Sequence, residues 1–328
     1  MSATAPPARS RRRRRVMAAA AISVSVLAAG TMLAVGQLDA SAAESSPVGF
    51  AALNGGTKGG GSSTVVTVNT AAALKTALAS STAQTVKISG MITISGMYTV
   101  ASNKTVLGSG ASSGVTGGGF NLSGVKNVII RNLVFTNASD DAINVQSGST
   151  NVWIDHNDLS NGFDGLIDIK RGSDFVTVSW NHLHDHDKSM LLGHSDDNGA
   201  QDLGHLRTTY VHNWFDGTNQ RHPRVRFANP VHVLNNYYSN IGSYGVASAM
   251  NAGVFVERNY FENVAKPTMT IGDTNLGNIK VLNNYKVNSG TELVRNPASV
   301  AAIPYAYTPE AAANVKAAVK AGAGTGKL

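Results

Sequence analysis

The sequence predicts an all-β protein: a parallel β-helix, or solenoid, with a short N-terminal capping helix and a C-terminal helical segment. Two observations carry the fold. A strand-like phrase ending in asparagine recurs along the chain: NVIIRN at Asn132, VWIDHN at Asn157, VTVSWN at Asn181, TTYVHN at Asn213, VHVLNN at Asn236, VFVERN at Asn259 and IKVLNN at Asn284. The intervals are 25, 24, 32, 23, 23 and 25 residues, so one carries an insertion. Self-similarity at this period marks stacked units. Each phrase is also rich in β-branched and aromatic residues and alternates polar with apolar, which is strand chemistry. One strand at constant phase per unit stacks into parallel coils. The recurrent asparagine is expected at a bend, its amide bonded to those above and below, so that buried polar groups are paired.

The first 42 residues lie outside that pattern. Arg9 and the run Arg11 to Arg15 precede an apolar stretch from Val16 to Leu38, then Ala40-Ser41-Ala42. A basic start, an apolar middle and a small-residue ending read as a secretory signal. The competing reading is an uncleaved membrane anchor, since the stretch nearly suffices to span. The Ala-x-Ala ending and the internal glycine and serines favour cleavage, and the paired arginines are compatible with general or twin-arginine export. Residues 43–63, rich in Gly, Ser and Ala, are expected to be a flexible lead-in. A strand at 64–68 and a helix from Ala71 to Ala79 follow, with Asn69 or Thr70 as N-cap. A helix there covers the open end of the stack and blocks edge-to-edge pairing. TVKISG, MITISG and NKTVLGSG supply the first coils, and the regular ladder runs from about residue 125 to 287. Pro309 then opens an Ala-rich helical segment, stopped by Gly322 and Gly324, that packs back on the body. The β-helix domain is thus expected to span 64–328.

Composition narrows the function. No cysteine is present, which excludes disulfides, thiolate metal sites and thiol nucleophiles. The leader holds six of the 27 basic residues and one of the 20 acidic ones, leaving 21 against 19. A formal +2 gives no reason to invoke nucleic acid, and nothing in the mature sequence argues for a membrane or an oligomer, so a monomer is expected.

Counting from the asparagine of its own coil gives each charged residue an address. Asp141 is at +9, Asp164 at +7, Asp168 at +11, Lys188 at +7, Arg221 at +8 and Arg226 at +13. Like offsets stack about 4.8 Å apart, so these six form one column along the solenoid. Oxygen ligands converging from two coils suit a hard cation such as Ca²⁺. Acids cluster in two coils and bases in the next two. That order suits an anionic polymer held by cation bridges at one end and by bases at the other. A solvated face of weak ion pairs is the bland alternative for any single residue.

The phrases DGLIDIKRGSDFVTVSWNHLHDHDKSMLLGHSD (164–196), VWIDHN and RHPRVRF (221–227) resemble those of the pectate lyases, polysaccharide lyase family 1, in its secreted bacterial form. The resemblance covers most of 64–328. It implies a right-handed parallel β-helix that cleaves de-esterified polygalacturonate by Ca²⁺-dependent β-elimination, giving 4,5-unsaturated oligogalacturonides. By position it implies Asp141, Asp164 and Asp168 as Ca²⁺ ligands, Lys188 on a substrate carboxylate, Arg221 as general base and Arg226 supporting substrate binding. Residue chemistry alone would not suggest an arginine base, since free arginine stays protonated. The cations expected around it favour the neutral form, and the same array predicts an alkaline activity optimum. Two departures stand out. Some members have an aspartate where this chain has Ser139, and many have glutamate at Asp164.

Other residues invite chemistry. HLHDHD places His182, His184 and His186 at alternate positions, a pattern that a strand zinc site would use; the preferred reading is hydrogen-bonded groups on the groove side. Trp153, Asp155 and His156 lie at another phase and read as structural. The insertion around 193–207 is expected to loop over the groove, which Tyr244 and Lys266 are placed to extend. Three rival functions remain. A pectin lyase acting on methylated polymer needs no cation bridge, so three aspartates argue against it. A glycosidase needs two opposed carboxylates and leaves Lys188 and Arg221 unexplained. A noncatalytic polysaccharide-binding β-helix keeps the column but needs no base.

Overall fold

The structure, a computed structural model, describes residues 1–4, 44–272 and 275–328. Apart from its first four residues, the expected signal segment lies outside the described residues. No described helix is long and apolar enough to cross a membrane.

Short strands separated by bends stack coil upon coil into parallel sheets, the parallel β-helix expected from the repeat, with the right hand that the resemblance implies. The first sheet holds ten strands, from Val65–Val68 to Asn278–Leu282, and includes every strand that precedes a recurrent asparagine. Across the bend lies a second sheet: Val134–Thr136, Asp158–Ser160, His182–His184, Trp214–Asp216, Tyr237–Ser239, Tyr260–Glu262 and Tyr285–Val287. A third closes each coil with Ile143–Gln146, Ile167–Ile169, Met190–Leu192, Arg224–Arg226, Val246–Ala249 and Thr268–Thr270. The long strand Gly114–Ser123 pairs with Val134–Thr136 through its first half and Ile143–Gln146 through its second, joining these two sheets.

Alternation sends one set of side chains inward, where like residues stack. Ile130, Ile154, Val178, Tyr210, Val233 and Val256 form one column by strand register, all fully buried. Phe215, Tyr238 and Phe261 form another, with rings stacked at 4.9 and 4.5 Å.

The asparagine ladder exists, with one correction. Register pairs Arg131 with Asp155, Asp155 with Ser179, and so on through Val211, Leu234, Glu257 and Leu282. Two residues beyond each lie Leu133, Asn157, Asn181, Asn213, Asn236, Asn259 and Asn284. Each asparagine from 157 to 259 donates its side-chain amide to the next asparagine's Oδ1 at 2.9–3.0 Å. Asn132 is not a rung. It sits one place earlier, at the left-handed bend that His156, Trp180, His212, Asn235, Arg258 and Asn283 occupy in later coils, with φ of 50–56° throughout. Its interval of 25 to Asn157, against the register spacing of 24, reflects that offset.

Helices cover the stack as expected. Thr70 Oγ1 caps Ala71–Ala79 by accepting from the Ala73 amide, and Leu74, Ala77 and Leu78 are buried. The C-terminal helix Ala312–Gly322 lays Val315 and Val319 on Trp180, Tyr237 and Tyr260, outside the second sheet. Residues 44–63 run across the outside of the first sheet. Their amides at Phe50, Ala51, Gly59 and Gly60 donate to Thr209, Thr177, Asn127 and Thr105, and Leu53 O accepts from Asn151 Nδ2 on the strand between those of Thr177 and Asn127, so the contacts descend the sheet coil by coil, with Phe50 fully buried.

Candidate active site

The outer face of the third sheet, with the turns that feed it, carries all six sequence-selected residues. Asp141 lies two residues before Ile143–Gln146, and Asp164 three before Ile167–Ile169. Asp168 is the middle residue of its strand. Ile167 and Ile169 fill the core, so Asp168 points outward, yet it is only 2 % exposed beneath neighbouring turns. Lys188 precedes Met190–Leu192, Arg221 precedes Arg224–Arg226, and Arg226 ends that strand. Asp164 is in a turn and not in the strand of Asp168, so strand alternation does not relate the two.

The acids converge. Single oxygens of Asp140, Asp141 and Asp164 all lie within 4.8 Å of one another. Asp168 stands behind them, across Gly165. An ideal Cβ at Gly165 would lie 2.4 Å from Asp168 Oδ1 and 2.9 Å from Asp141 Oδ1, so only glycine leaves this space open. The Gly165 amide donates to Asp141 Oδ1 at 2.9 Å. Burial, with only partial relief from Lys170, raises the Asp141 carboxyl above its ordinary range. Burial and then the neighbouring Asp141 charge push Asp168 up as well, to about 8. Asp164, more exposed, is held low by its hydrogen bond from Lys188 at 2.7 Å. Within the cluster, Lys170 Nζ is 3.1 Å from Asp141 and 3.9 Å from Asp168. Four carboxylates thus face two ammonium groups, a set of hard oxygens short of positive charge, which fits Ca²⁺.

The basic end lacks partners in a complementary way. Arg221 is partly exposed, takes a left-handed backbone (φ 65°), and its buried Nε has no hydrogen bond among the described residues; Arg224 Nε likewise has none there. Burial and the nearby Arg226 and Arg221 charges depress the Arg224 guanidinium. Arg226 is 8 % exposed and engaged, with Nε 2.5 Å from Asp196 and Nη1 donating to Gly193 O at 2.9 Å. It therefore ties the 193–207 insertion to the rim of this face. Next to Arg221, the fully buried His222 donates Nδ1–H to Tyr244 O and accepts at Nε2 from Thr218 Oγ1, each at 2.8 Å. Tyr244 is buried beside this network and Lys266 is exposed.

Sequence reasoning missed Asp140, Gly165, Lys170, Arg224 and Asp196. Lys170 was findable, since it sits 13 residues past Asn157 as Arg226 sits 13 past Asn213. Asp140 was hidden by the assumption of alternation, which fails in a turn. The three alternate histidines part company: His186 reaches Asp164 O at 2.9 Å on this face, while His182 and His184 belong to the second sheet. Their expected place on the groove side is corrected accordingly. Trp153, Asp155 and His156 form a buried clamp. Asp155 accepts from Arg131 at 2.5 Å, Ser179 at 2.6 Å and His156 at 2.6 Å, which is a structural role.

Known proteins are similar to this chain in sequence and fold. A family model described as "Pectate lyase" matches residues 20–328. A pectate trisaccharide-lyase of Bacillus licheniformis is 36 % identical over 299 residues, covering 85 % of this chain and 86 % of its own. A probable pectate lyase B of Aspergillus terreus is 38 % identical over 77 % of this chain and 80 % of its own. Among solved structures, a Bacillus pectate lyase in complex with trigalacturonate superposes with a TM-score of 0.79 at 31 % identity, over 85 % of this chain and 99 % of that one. Pectate lyase II of Xanthomonas campestris gives 0.74 at 27 % identity, over 86 % and 98 %. The chain belongs to the pectate lyase family and is a polysaccharide lyase.

Proposed function

We propose that this lyase is exported after removal of residues 1–42 and that its 64–328 domain cleaves de-esterified polygalacturonate by Ca²⁺-dependent β-elimination. One observation carries the reading: a cluster of under-neutralised carboxylates stands beside a lysine and two arginines whose Nε atoms have no partner among the described residues, all on one face of the solenoid. Asp140, Asp141 and Asp164 would hold the ion, with Asp168 behind them. When bound, Ca²⁺ supplies electrostatic stabilisation for the uronate carboxylate as negative charge spreads into it.

The chain's own groups do the rest. Lys188, now paired with Asp164, turns to a substrate carboxylate and orients the sugar ring. Arg221, in its neutral form, takes the proton from carbon 5. The released electron pair forms the C4–C5 double bond, and the glycosidic oxygen departs from carbon 4 and is protonated from water. Arg224, whose own guanidinium is depressed by burial and its neighbours, adds positive charge beside Arg221, which attracts the polyanion. The Asp196–Arg226 contact holds the insertion at the rim.

Ultraviolet absorbance of the unsaturated uronide, followed on polygalacturonate with Ca²⁺ and then with excess chelator, tests this. Absorbance that the chelator abolishes supports the reading. New reducing ends without absorbance mean hydrolysis, and binding without either product means a noncatalytic module.

A further inference from the structure

A second group of metal-ligating side chains lies away from the acidic groove, on the outer face of the second sheet. Asp158, His182 and His184 bring one ligand atom each within 4.8 Å of one another. His182 Nδ1 is 2.9 Å from Asp158 Oδ2, and His184 Nε2 is 3.0 Å from Asp158 Oδ1. The topology makes this possible. Asp158 pairs in register with His182, and His184 follows two residues later on the same strand, so both rings leave the sheet on one side above a carboxylate from the coil below. We infer that Asp158, His182 and His184 form a binding site for a divalent transition ion of the Zn²⁺ type, which cross-links two adjacent coils beneath the C-terminal segment.

Spacing, orientation and rigidity support the assignment. Bonds of about 2.1 Å to a common ion put neighbouring donors about 3.0–3.4 Å apart, close to the separations found here. The ring nitrogens facing away from Asp158 meet other carboxylates. His184 Nδ1 is 2.7 Å from Asp185 Oδ2, and His182 Nε2 is 3.5 Å from Asp216 Oδ2. Asp216 is itself fixed by Ser239 Oγ at 2.9 Å. A carboxylate behind each imidazole sets the tautomer and ring angle of a metal-bound histidine. That His182 Nε2 is shielded from solvent and has no closer hydrogen-bond partner among the described residues. The rings are held in place, stacked on each other at 4.5 Å, with His182 stacked on Trp214 at 4.4 Å. The three ligand side chains are only 19–26 % exposed.

The position explains what the ion would do. Gly324 donates its amide to Trp180 O at 2.8 Å, and a Cβ there would lie 3.3 Å from His182 Cβ and 3.9 Å from Asp158 Oδ2. The last residues of the chain therefore close over the cluster. In a chain without cysteine, a metal cross-link would join these two coils beneath the C-terminal segment as a disulfide would.

The test uses tag-free mature protein, stripped with chelator, dialysed, and kept in excess Ca²⁺ so that the acidic groove is filled. Zn²⁺ is titrated in competition with a chromophoric chelator, and Co²⁺ is added separately as a spectroscopic probe. One equivalent of Zn²⁺ is expected, together with a rise in melting temperature and Co²⁺ visible bands of histidine ligation. His184→Gln and Asp158→Asn should each weaken Zn²⁺ binding by about tenfold or more, while Asp141→Asn leaves it unchanged. Lyase turnover in Ca²⁺ should persist in His184→Gln, which separates this site from the proposed reaction. Absence of Zn²⁺ binding, unchanged affinity in His184→Gln, or loss only in Asp141→Asn would each overturn the assignment. The Co²⁺ spectrum of the wild type decides the matter even where a variant folds poorly.

Discussion

Gly165→Ala puts a methyl group where the proposed Ca²⁺ site has none to spare. The added carbon would lie 2.4 Å from Asp168 Oδ1, 3.0 Å from Asp168 Cγ and 2.9 Å from Asp141 Oδ1. Something must move by about 1 Å to reach ordinary contact. The Asp168 backbone resists, because its strand is paired on both sides, to Asn144 and Leu191, with Ile167 and Ile169 fully buried. The carboxylates give way instead, at an overpacking cost of about 1–3 kcal/mol. If that displacement falls on the ion's oxygen donors, Ca²⁺ affinity drops by about 5- to 150-fold, at a decade per 1.4 kcal/mol. Initial rates on polygalacturonate across a Ca²⁺ series measure this: half-saturation should move up while the rate at saturating Ca²⁺ largely recovers. Gly110→Ala is the control, since a Cβ there meets nothing within 4 Å. A Ca²⁺ dependence in Gly165→Ala identical to wild type would refute the assignment of the Asp141 carboxylate to the ion.

Three further outcomes follow from the same physics. Burial lowers His222 from 6.5 to about 4, so the unfolded chain takes up a proton there that the folded one refuses. Its stabilisation is complete above pH 6.5, is lost as pH falls towards 4, and amounts to about 3 kcal/mol at 1.36 per unit; urea midpoints from pH 7 to 4 should fall less steeply in His222→Gln. Lys170→Met removes the counter-ion of Asp141 and Asp168, so the metal-free protein should lose about 1–3 kcal/mol and gain more melting temperature from Ca²⁺ than wild type does. Asn213→Leu breaks the mid-ladder bonds to Asn181, Asn236 and Val178 O, and should cost about 2–4 kcal/mol in urea unfolding, because buried partners on both sides are orphaned.

The sequence by itself determined the architecture, because the repeat is one-dimensional. A strand phrase at constant phase, a bend residue and a period near 24 leave a chain little choice but to stack, and glycine and alanine runs mark the helical ends. It also placed the six charged residues on one face, since offsets within a repeat translate directly into columns. Register was a matter for the tertiary structure. Asn132 looks like a rung yet occupies the left-handed bend, because hydrogen bonds between coils, not the spelling of the phrase, fix which residues are level. Turns have no period, so the approach of Asp140 to Asp164, the bare space at Gly165 and the reach of Lys170 were beyond an argument built on alternation. The pairing of Asp158 with His182 was open to the offset rule, since each lies one residue past a ladder asparagine, whereas the reach of His184 back to the same carboxylate depended on side-chain placement that only the structure decides.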